Sequence, residues 1–338
     1  LIVANGFTNA GTITLDNAHS AGRSQTLTVS SGTLTNTGTL STTQTGAGSA
    51  THSINANIIN TGIIDIDATA TINATTFDTS AGSIDVASGS TLNLNSTTTT
   101  IGTSSSLTGL GTINLIGTQA LNFASPYTIS ATSTLLDPTG TITFGGPGPL
   151  TIAPGGSFKM TADTANVDID NQGNLNIEGG TSTINNSINS TSFTNSGVLT
   201  IRGTSGANVH LIVANGFTNA GTITLDNAHS AGRSQTLTVS SGTLTNTGTL
   251  STTQTGAGSA THSINANIIN TGIIDIDATA TINATTFDTS AGSIDVASGS
   301  TLNLNSTTTT IGTSSSLTGL GTINLIGTQA LNFASPYT

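Results

Sequence analysis

A long exact repeat constrains this chain more than any other feature of its sequence. Residues 1–128 are identical to residues 211–338, so the period is 210 residues. Unchanged copies of this kind are typical of tandem arrays in which each unit stacks on the next. We therefore expect one full unit at 1–210 and a partial second unit at 211–338. The two would form one continuous solenoid, a window of a longer array.

A short phrase recurs inside each unit. An anchor glycine is followed two and four residues later by apolar residues, as in Gly11-Thr-Ile13-Thr-Leu15. Eight anchors give sixteen such positions, of which fifteen are apolar, and the exception is Thr42. Eight anchors precede the copy at Gly221: Gly11, Gly38, Gly62, Gly82, Gly111, Gly140, Gly173 and Gly197. Since strand side chains alternate between two faces, the phrase predicts one strand with a buried face in each of eight rungs.

Other apolar positions keep a regular distance from the anchors. Pairs such as Leu92/Leu94 follow an anchor by about ten residues, and single residues such as Phe7 and Leu34 precede one by four. The pattern predicts an all-β, single-stranded parallel β-helix, or β-solenoid, with about three short strands per rung. A rung averages about 26 residues, a period typical of solenoids. A sandwich built from β-hairpins is the alternative fold. It would have antiparallel strand pairs, and its apolar residues would not align in columns at this period.

The letters of the phrase have an expected structural role. We expect the anchor glycine to adopt a positive φ after a corner, where a side chain is unfavourable. Asparagine stands two residues before five of the anchors, at Asn9, Asn36, Asn60, Asn171 and Asn195. Stacked asparagine side chains can pass amide hydrogen bonds from rung to rung. We therefore interpret these residues as structural rather than ligand-binding.

Charge and cysteine content exclude several classes of function. The net charge is −11 with only four Lys plus Arg, so we expect no nucleic-acid partner, because a phosphate backbone requires a basic surface. No apolar run is long enough for a membrane span, and no membrane insertion is expected. The absence of cysteine excludes disulfides and thiolate metal sites.

An acidic column is the one metal-site hypothesis in the sequence. Asp65 and Asp85 both lie three residues after an anchor, and Asp67 is close by. In stacked rungs the first two would lie about 4.8 Å apart and repel each other. Ca²⁺ could relieve that repulsion, since it prefers carboxylate and hydroxyl oxygens. Two solvated aspartates are the plainer alternative, and no other cofactor is expected.

No set of residues resembles a catalytic site, so we expect no enzyme activity. The histidines (His19, His52 and His210, with copies at His229 and His262) show no paired spacing, and we interpret them as solvated loop residues. A polysaccharide-binding or polysaccharide-cleaving β-helix is an alternative, but the basic residues Arg23, Lys159 and Arg202 are scattered along the unit. An ice-binding solenoid is another, but its flat Thr-x-Thr face is not uniform here.

The repeated phrase Asn9-x-Gly11-x-Ile13-x-Leu15, with polar Thr, Asn and Ser fillers, resembles the passenger repeats of bacterial autotransporters and filamentous-haemagglutinin-like adhesins. That resemblance covers almost the whole chain. It implies a right-handed parallel β-helix, export to the cell surface, and a role as stalk, adhesin or fibre. The variable rung length departs from the family, and no functional residue carries over, because the shared letters are scaffold letters.

These observations together predict a non-catalytic structural rod of a long extracellular bacterial surface or fibre protein. The expected partners are neighbouring repeat units of the same chain and, by lateral or end-to-end association, other copies in a fibre. Surface glycans or receptors on host or neighbouring cells are further expected partners. Adhesion would use the longer loops at 16–25 and 41–53, which return in the next unit, so that weak contacts add up along the rod.

Overall fold

The computed structural model describes residues 1–102, 104–131, 135–186, 192–204, 206–327 and 329–334, with the backbone alone described for 135–138. The described residues form strands, turns and bends, with no helix and hence none long and apolar enough to cross a bilayer. They fall into two compact units, which differ from the 210-residue repeat units. The first unit is Leu1–Thr151 with Gly156–Phe158, and the second unit is Ile152–Gly155 with Lys159–Thr338. Every strand pair described below is parallel, so each unit is a β-solenoid of stacked coils, as predicted.

The first unit contains a five-stranded sheet that starts after the anchor glycines, here called the first anchor sheet. Its strands are Thr12–Asp16, Thr39–Thr43, Ile63–Ile66, Ser83–Val86 and Ser106–Gly109. The other strands of this unit are Ile2–Val3, Phe7–Asn9, Gln25–Asn36, His52–Asn60, Ala70–Asp78, Thr91–Ile101, Thr112–Leu115, Thr118–Phe123, Tyr127–Ile129, Leu135–Pro138 and Thr141–Gly145. The strands Leu150–Ile152 and Ser157–Met160 lie at the division between the units.

The second unit repeats this arrangement. Its anchor sheet belongs to an eight-stranded sheet that also includes Ser157–Met160, and its strands are Asn174–Glu178, Val198–Gly203, Thr222–Asn227, Thr249–Thr253, Ile273–Ile276, Ser293–Val296 and Ser316–Gly319. Its other strands are Thr164–Ala165, Ile169–Asn171, Gly180–Ile184, Phe193–Asn195, Val209–Val213, Phe217–Asn219, Gln235–Asn246, His262–Asn270, Ala280–Thr289, Thr301–Ile311, Thr322–Leu325 and Ala330–Phe333.

The predicted vertical registry is confirmed for the first four anchors. Ile13 pairs with Leu40, Leu40 with Ile64, and Ile64 with Ile84, so the glycine-led segments lie directly above one another. The inward residues of this column are buried, with Leu40, Ile64 and Ile84 at most 1% exposed. Burial of one such aliphatic side chain contributes about 1.5–3 kcal/mol, and the columns extend that contribution from rung to rung.

Thr42, the one polar residue at an inward position, has a local explanation. Its side chain is fully buried, and its hydroxyl donates a 2.6 Å hydrogen bond to the carbonyl oxygen of Ala68 in the next rung. The copy at Thr252 donates the same bond to Ala278. A buried hydroxyl with a partner avoids the desolvation penalty of an unpaired polar group, which makes threonine acceptable in the core at this position.

The assignment of Gly111 and Gly140 to the anchor column is wrong. The strand that stacks on Ile84 is led by Leu107, not by Ile113, and Thr108 lies 23 residues after its rung neighbour Asp85. Ile113 instead pairs with Leu92 in a different sheet, and the strand Thr141–Gly145 stacks on Thr118–Phe123. The error arose because every sheet of the solenoid alternates inward and outward residues, so a glycine before such a strand does not identify the sheet.

The remaining predicted columns are in place over the first rungs of the first unit. Phe7, Leu34, Ile58 and Phe77 pair in succession, as do Leu27, Ile54 and Ile72. Leu107 was predicted for the first of these columns but belongs to the anchor sheet. Leu136 was predicted there too, and its side chain lies outside the described residues. Several strands are longer than predicted, because Gln25–Asn36 and Thr91–Ile101 run through two columns without a break.

The expected reason for the anchor glycines is also wrong. None of Gly38, Gly62 and Gly221 has a positive φ. A Cβ atom at Gly38 would instead lie 2.0 Å from the carbonyl oxygen of Gly11 in the previous rung, and one at Gly62 would lie 2.1 Å from that of Gly38. The column requires glycine because successive turns approach each other too closely for a side chain.

Candidate functional site

Several polar features of this fold are candidates for function, and the first is a buried column of asparagines, here called the inner ladder. It comprises Asn9, Asn36 and Asn60 in the first unit and Asn171, Asn195, Asn219, Asn246 and Asn270 in the second. Each carboxamide donates one hydrogen bond to the Oδ1 of the next asparagine, at 2.6–2.8 Å, until the last in each unit donates to a threonine hydroxyl, Asn60 to Thr79 and Asn270 to Thr289.

The second amide hydrogen of each inner-ladder residue is also paired. Asn9 donates to the Thr39 carbonyl at 2.9 Å and Asn36 to the Ile63 carbonyl at 3.0 Å, and the second unit repeats the pattern. All of these side chains are at most 7% exposed. Both amide hydrogens are therefore occupied in the core, which confirms the predicted rung-to-rung bonding and leaves no donor for a ligand.

The acidic column lies where the sequence predicts it. Asp65 pairs directly with Asp85 in the first anchor sheet, and Asp275 with Asp295 in the second. Burial, followed by repulsion from Asp67 and then from Asp85, raises the pKa of the Asp65 carboxyl above its ordinary value. Among the described residues no three His, Cys, Asp or Glu side chains come together as a metal-holding group. The Ca²⁺ site at these aspartates stays a prediction.

The interpretation of the histidines as solvated loop residues is wrong for His210, which lies in the strand Val209–Val213, and for the pair His52 and His262. His52 and its copy His262 begin long strands and are 1% exposed. The Nδ1 atom of His52 lies 3.3 Å from the Thr69 carbonyl, and the Nε2 atoms of both rings are buried without a hydrogen-bond partner among the described residues. Burial lowers the pKa of His262 below its ordinary value, against the opposing effect of nearby carbonyls and Asp226.

The loops 16–25 and 41–53, and their copies, are held rigidly. Buried Asn17 accepts hydrogen bonds from the backbone N–H groups of His19 and Arg23 and donates to the Gly48 carbonyl at 2.6 Å, which joins one loop to the next. Asp16 accepts from both the backbone and the hydroxyl of Thr45. These bonds lower the pKa of Asp16, with the Thr45 hydroxyl contributing most. The loops are thus well suited to present fixed side chains.

In the second unit the same loops gain an ion pair. Arg202 Nε lies 3.1 Å from Asp226 Oδ2, and Asp226 also accepts hydrogen bonds from the hydroxyls of Thr253 and Thr255. The carboxylate is almost buried, whereas the guanidinium is 44% exposed. Arg202, one of the basic residues scattered along the sequence, therefore holds Asp226 at the start of the loop. Arg23 is a residue of the loop itself, and Lys159 lies on the strand Ser157–Met160.

The outward face of the first anchor sheet is chemically mixed. One outward column runs through Thr12, Thr39, Ile63 and Ser83, because these residues pair in succession. The next column contains the two aspartates described above. Ordered Thr-x-Thr pairs therefore do not continue from rung to rung on this face, which does not favour ice binding.

A polar groove crosses four rungs of the first unit and has no counterpart in the sequence predictions. It has a volume of about 520 Å³, and its lining contains Ser31, Asn57, Thr75 and Thr97 together with a second, more exposed asparagine column. That column, here called the outer ladder, comprises Asn55, Asn73 and Asn95. A smaller groove of about 220 Å³ recurs in the second unit, where part of the corresponding lining is present, namely Ser240–Gly242, Asn267, Asn283 and Thr285.

Small residues at the strand bends produce the groove. The register between the first two long strands shifts between Thr28 and Thr33, so that Ser30, Ser31 and Gly32 bulge out beside Ala56. The groove could have been suspected from the aligned Ala56 and Ala74, because small residues at a bend leave space. The sequence alone did not show that the bends of consecutive rungs coincide.

Comparison of the chain with protein-family models, with curated proteins and with solved structures finds no match. The fold and the geometry of the described residues are therefore the basis for any functional argument.

Proposed function

We propose that this chain is a structural repeat region of a long extracellular bacterial surface or fibre protein, and that it works as a non-catalytic stalk, filament or adhesin rod. The resemblance to autotransporter and filamentous-haemagglutinin-like repeats supports this proposal, as do the parallel coils of each unit. In such a protein the chemistry of the repeat is directed at its own neighbouring turns.

The inner ladder is the observation that supports a structural role most directly. Its amide hydrogens are all directed at the next turn, and the arrangement is the same in both copies of the sequence, with Asn9 to Asn36 at 2.8 Å and Asn219 to Asn246 at 2.7 Å. A polar column that satisfies itself in this way adds the same increment of stability with each turn. Selection for length and stiffness favours such a pattern.

The experiment is to produce chains with one, two and three copies of the full repeat unit and to measure their length by electron microscopy and small-angle scattering. At about 4.8 Å per turn, each added unit should extend the particle by roughly 40 Å at constant width. A particle whose longest dimension does not grow with unit number would contradict the rod. Release of reducing ends from a panel of polysaccharides would instead favour the polysaccharide-cleaving alternative.

A further inference from the structure

The outer ladder offers hydrogen-bond donors that the fold does not use. Asn73 Nδ2 donates to Asn55 Oδ1 at 2.8 Å, and Asn95 Nδ2 donates to Asn73 Oδ1 at 3.0 Å. Each carboxamide has two N–H groups, and the second one on Asn73 and on Asn95 has no partner among the described residues. This differs from the inner ladder, where both hydrogens are paired in the core.

The opposite side of the groove supplies hydroxyl and amide groups at the same spacing. Asn57 Oδ1 accepts the backbone N–H groups of Thr75 and Thr76, at 2.8 and 3.1 Å, which fixes the carboxamide at the bend. The exposed hydroxyls of Thr75 and Thr97 follow on the next two rungs. Since rungs are about 4.8 Å apart, three of them provide paired polar groups over about 10 Å.

The chemistry of the lining restricts the ligand. None of the residues that line the groove is ionisable and none is aromatic. The chain as a whole carries a net charge of −11, which repels polyanions such as nucleic acids and acidic polysaccharides. The exposed large apolar residues, among them Ile59, Ile63 and Leu110, lie outside the groove lining, so there is no anchor for the side chains of a peptide.

We propose that the groove binds a neutral, extended polysaccharide that lies along the outer ladder, with its hydroxyl groups accepting from the free amide hydrogens and donating to the threonine hydroxyls. Sugar hydroxyls match this lining because each can both donate and accept. Without an aromatic platform a single groove binds weakly. The second groove, in the next copy of the repeat, converts weak contacts into avidity for a long polymer. This proposal goes beyond the structural role and does not depend on the length of the particle.

The test is affinity electrophoresis of the full chain in gels that contain soluble neutral polysaccharides, namely a mannan, a mixed-linkage β-glucan and dextran. At least one of them should retard the chain. The double variant Thr75→Val with Thr285→Val removes one hydroxyl from each copy of the groove without changing side-chain shape, and it should weaken retardation at least tenfold. A second variant, Ala74→Ile with Ala284→Ile, fills the groove and should abolish retardation.

The control variant is Thr12→Val with Thr222→Val, which removes the same group from the outward face of the anchor sheets and should bind like the parent. Circular dichroism and thermal melting confirm that each variant is folded. The proposal is overturned if no neutral polysaccharide retards the chain, or if folded groove variants bind as well as the control. It is also overturned if only a polyanion or a peptide binds. None of these results affects the rod, which the length measurement tests separately.

Discussion

Two glycines with ordinary backbone angles should respond in opposite ways to the same substitution. A Cβ atom at Gly221 would lie 2.0 Å from the carbonyl oxygen of Gly197 in the preceding turn, whereas one at Gly206 would meet nothing within 4 Å. Neither glycine has a positive φ, so alanine is sterically allowed by the local backbone at both positions. The close approach of the preceding turn to Gly221 distinguishes them.

The magnitude follows from the geometry. A Cβ–O approach of 2.0 Å is far shorter than an ordinary contact, so in Gly221→Ala the turns must separate and the 2.8 Å bond from the Thr222 N–H to the Gly197 carbonyl is weakened. Overpacking of this kind costs about 1–3 kcal/mol, and the hydrogen bond adds about 1 kcal/mol. Alanine returns about 0.4–1 kcal/mol by restricting the unfolded chain.

We therefore expect Gly221→Ala to lower the free energy of unfolding by about 1–3.5 kcal/mol, the net of overpacking, the weakened hydrogen bond and the unfolded-state effect. Gly206→Ala should leave it unchanged or raise it by less than about 1 kcal/mol. The assays are urea unfolding followed by circular dichroism and native-state hydrogen exchange at the Thr222 amide, because a repeat protein need not unfold in one step. Equal changes in the two variants would refute the close-approach explanation of the glycine column.

Three further predictions concern polar side chains of the inner ladder, of the acidic column and of the buried His262. Asn36→Ala should destabilise the chain by about 3–5 kcal/mol, because it leaves several buried partners unpaired. The outer-ladder control Asn73→Ala should cost less than about 1 kcal/mol. Similar losses of stability in urea unfolding would contradict the distinction between the two ladders. Asp65→Asn should raise the melting temperature at pH 7, since burial and then the neighbouring carboxylates raise the Asp65 pKa and so make its ionised form destabilising there. The difference in melting temperature between Asp65→Asn and the parent should disappear at a pH where ordinary carboxyl groups are protonated. In a separate melt of the parent, a midpoint unchanged by a chelator would remove the Ca²⁺ hypothesis. Burial lowers the pKa of His262 below its ordinary value, so as the pH falls the unfolded chain takes up a proton before the folded chain does. The free energy of unfolding should therefore fall as the pH drops from about 6.5 toward the folded-state pKa. His262→Gln should reduce this dependence of stability on pH.

Features that are both periodic and local could be predicted from the sequence. Alternation after Gly11, Gly38 and Gly62 identified strands with one buried face, and the asparagine before five of the anchors identified the inner ladder. Prediction failed where several elements share one pattern. The segment after Gly111 has the same alternation as an anchor strand, yet the segment led by Leu107 occupies that place.

Burial of polar side chains was harder to predict from the sequence. His52 has the polar neighbours of a loop residue in the sequence, but it begins a strand and is buried. The outer ladder and its groove depend on bends that coincide in consecutive rungs, and the shifts in register that produce the bends appear only in the paired strands. Local composition does not contain that information.

The sequence by itself determined that the chain is all-β, that its strands have one apolar face, and that one long unit recurs without change, because these properties depend on residue order alone. Only the tertiary structure decided which strand lies above which, why glycine is required in the anchor column, and where polar groups are paired or left free. The physical reason is that each of these depends on the distance between turns, and positions as far apart in the chain as Asn36 and Asn60 are brought into contact only by stacking.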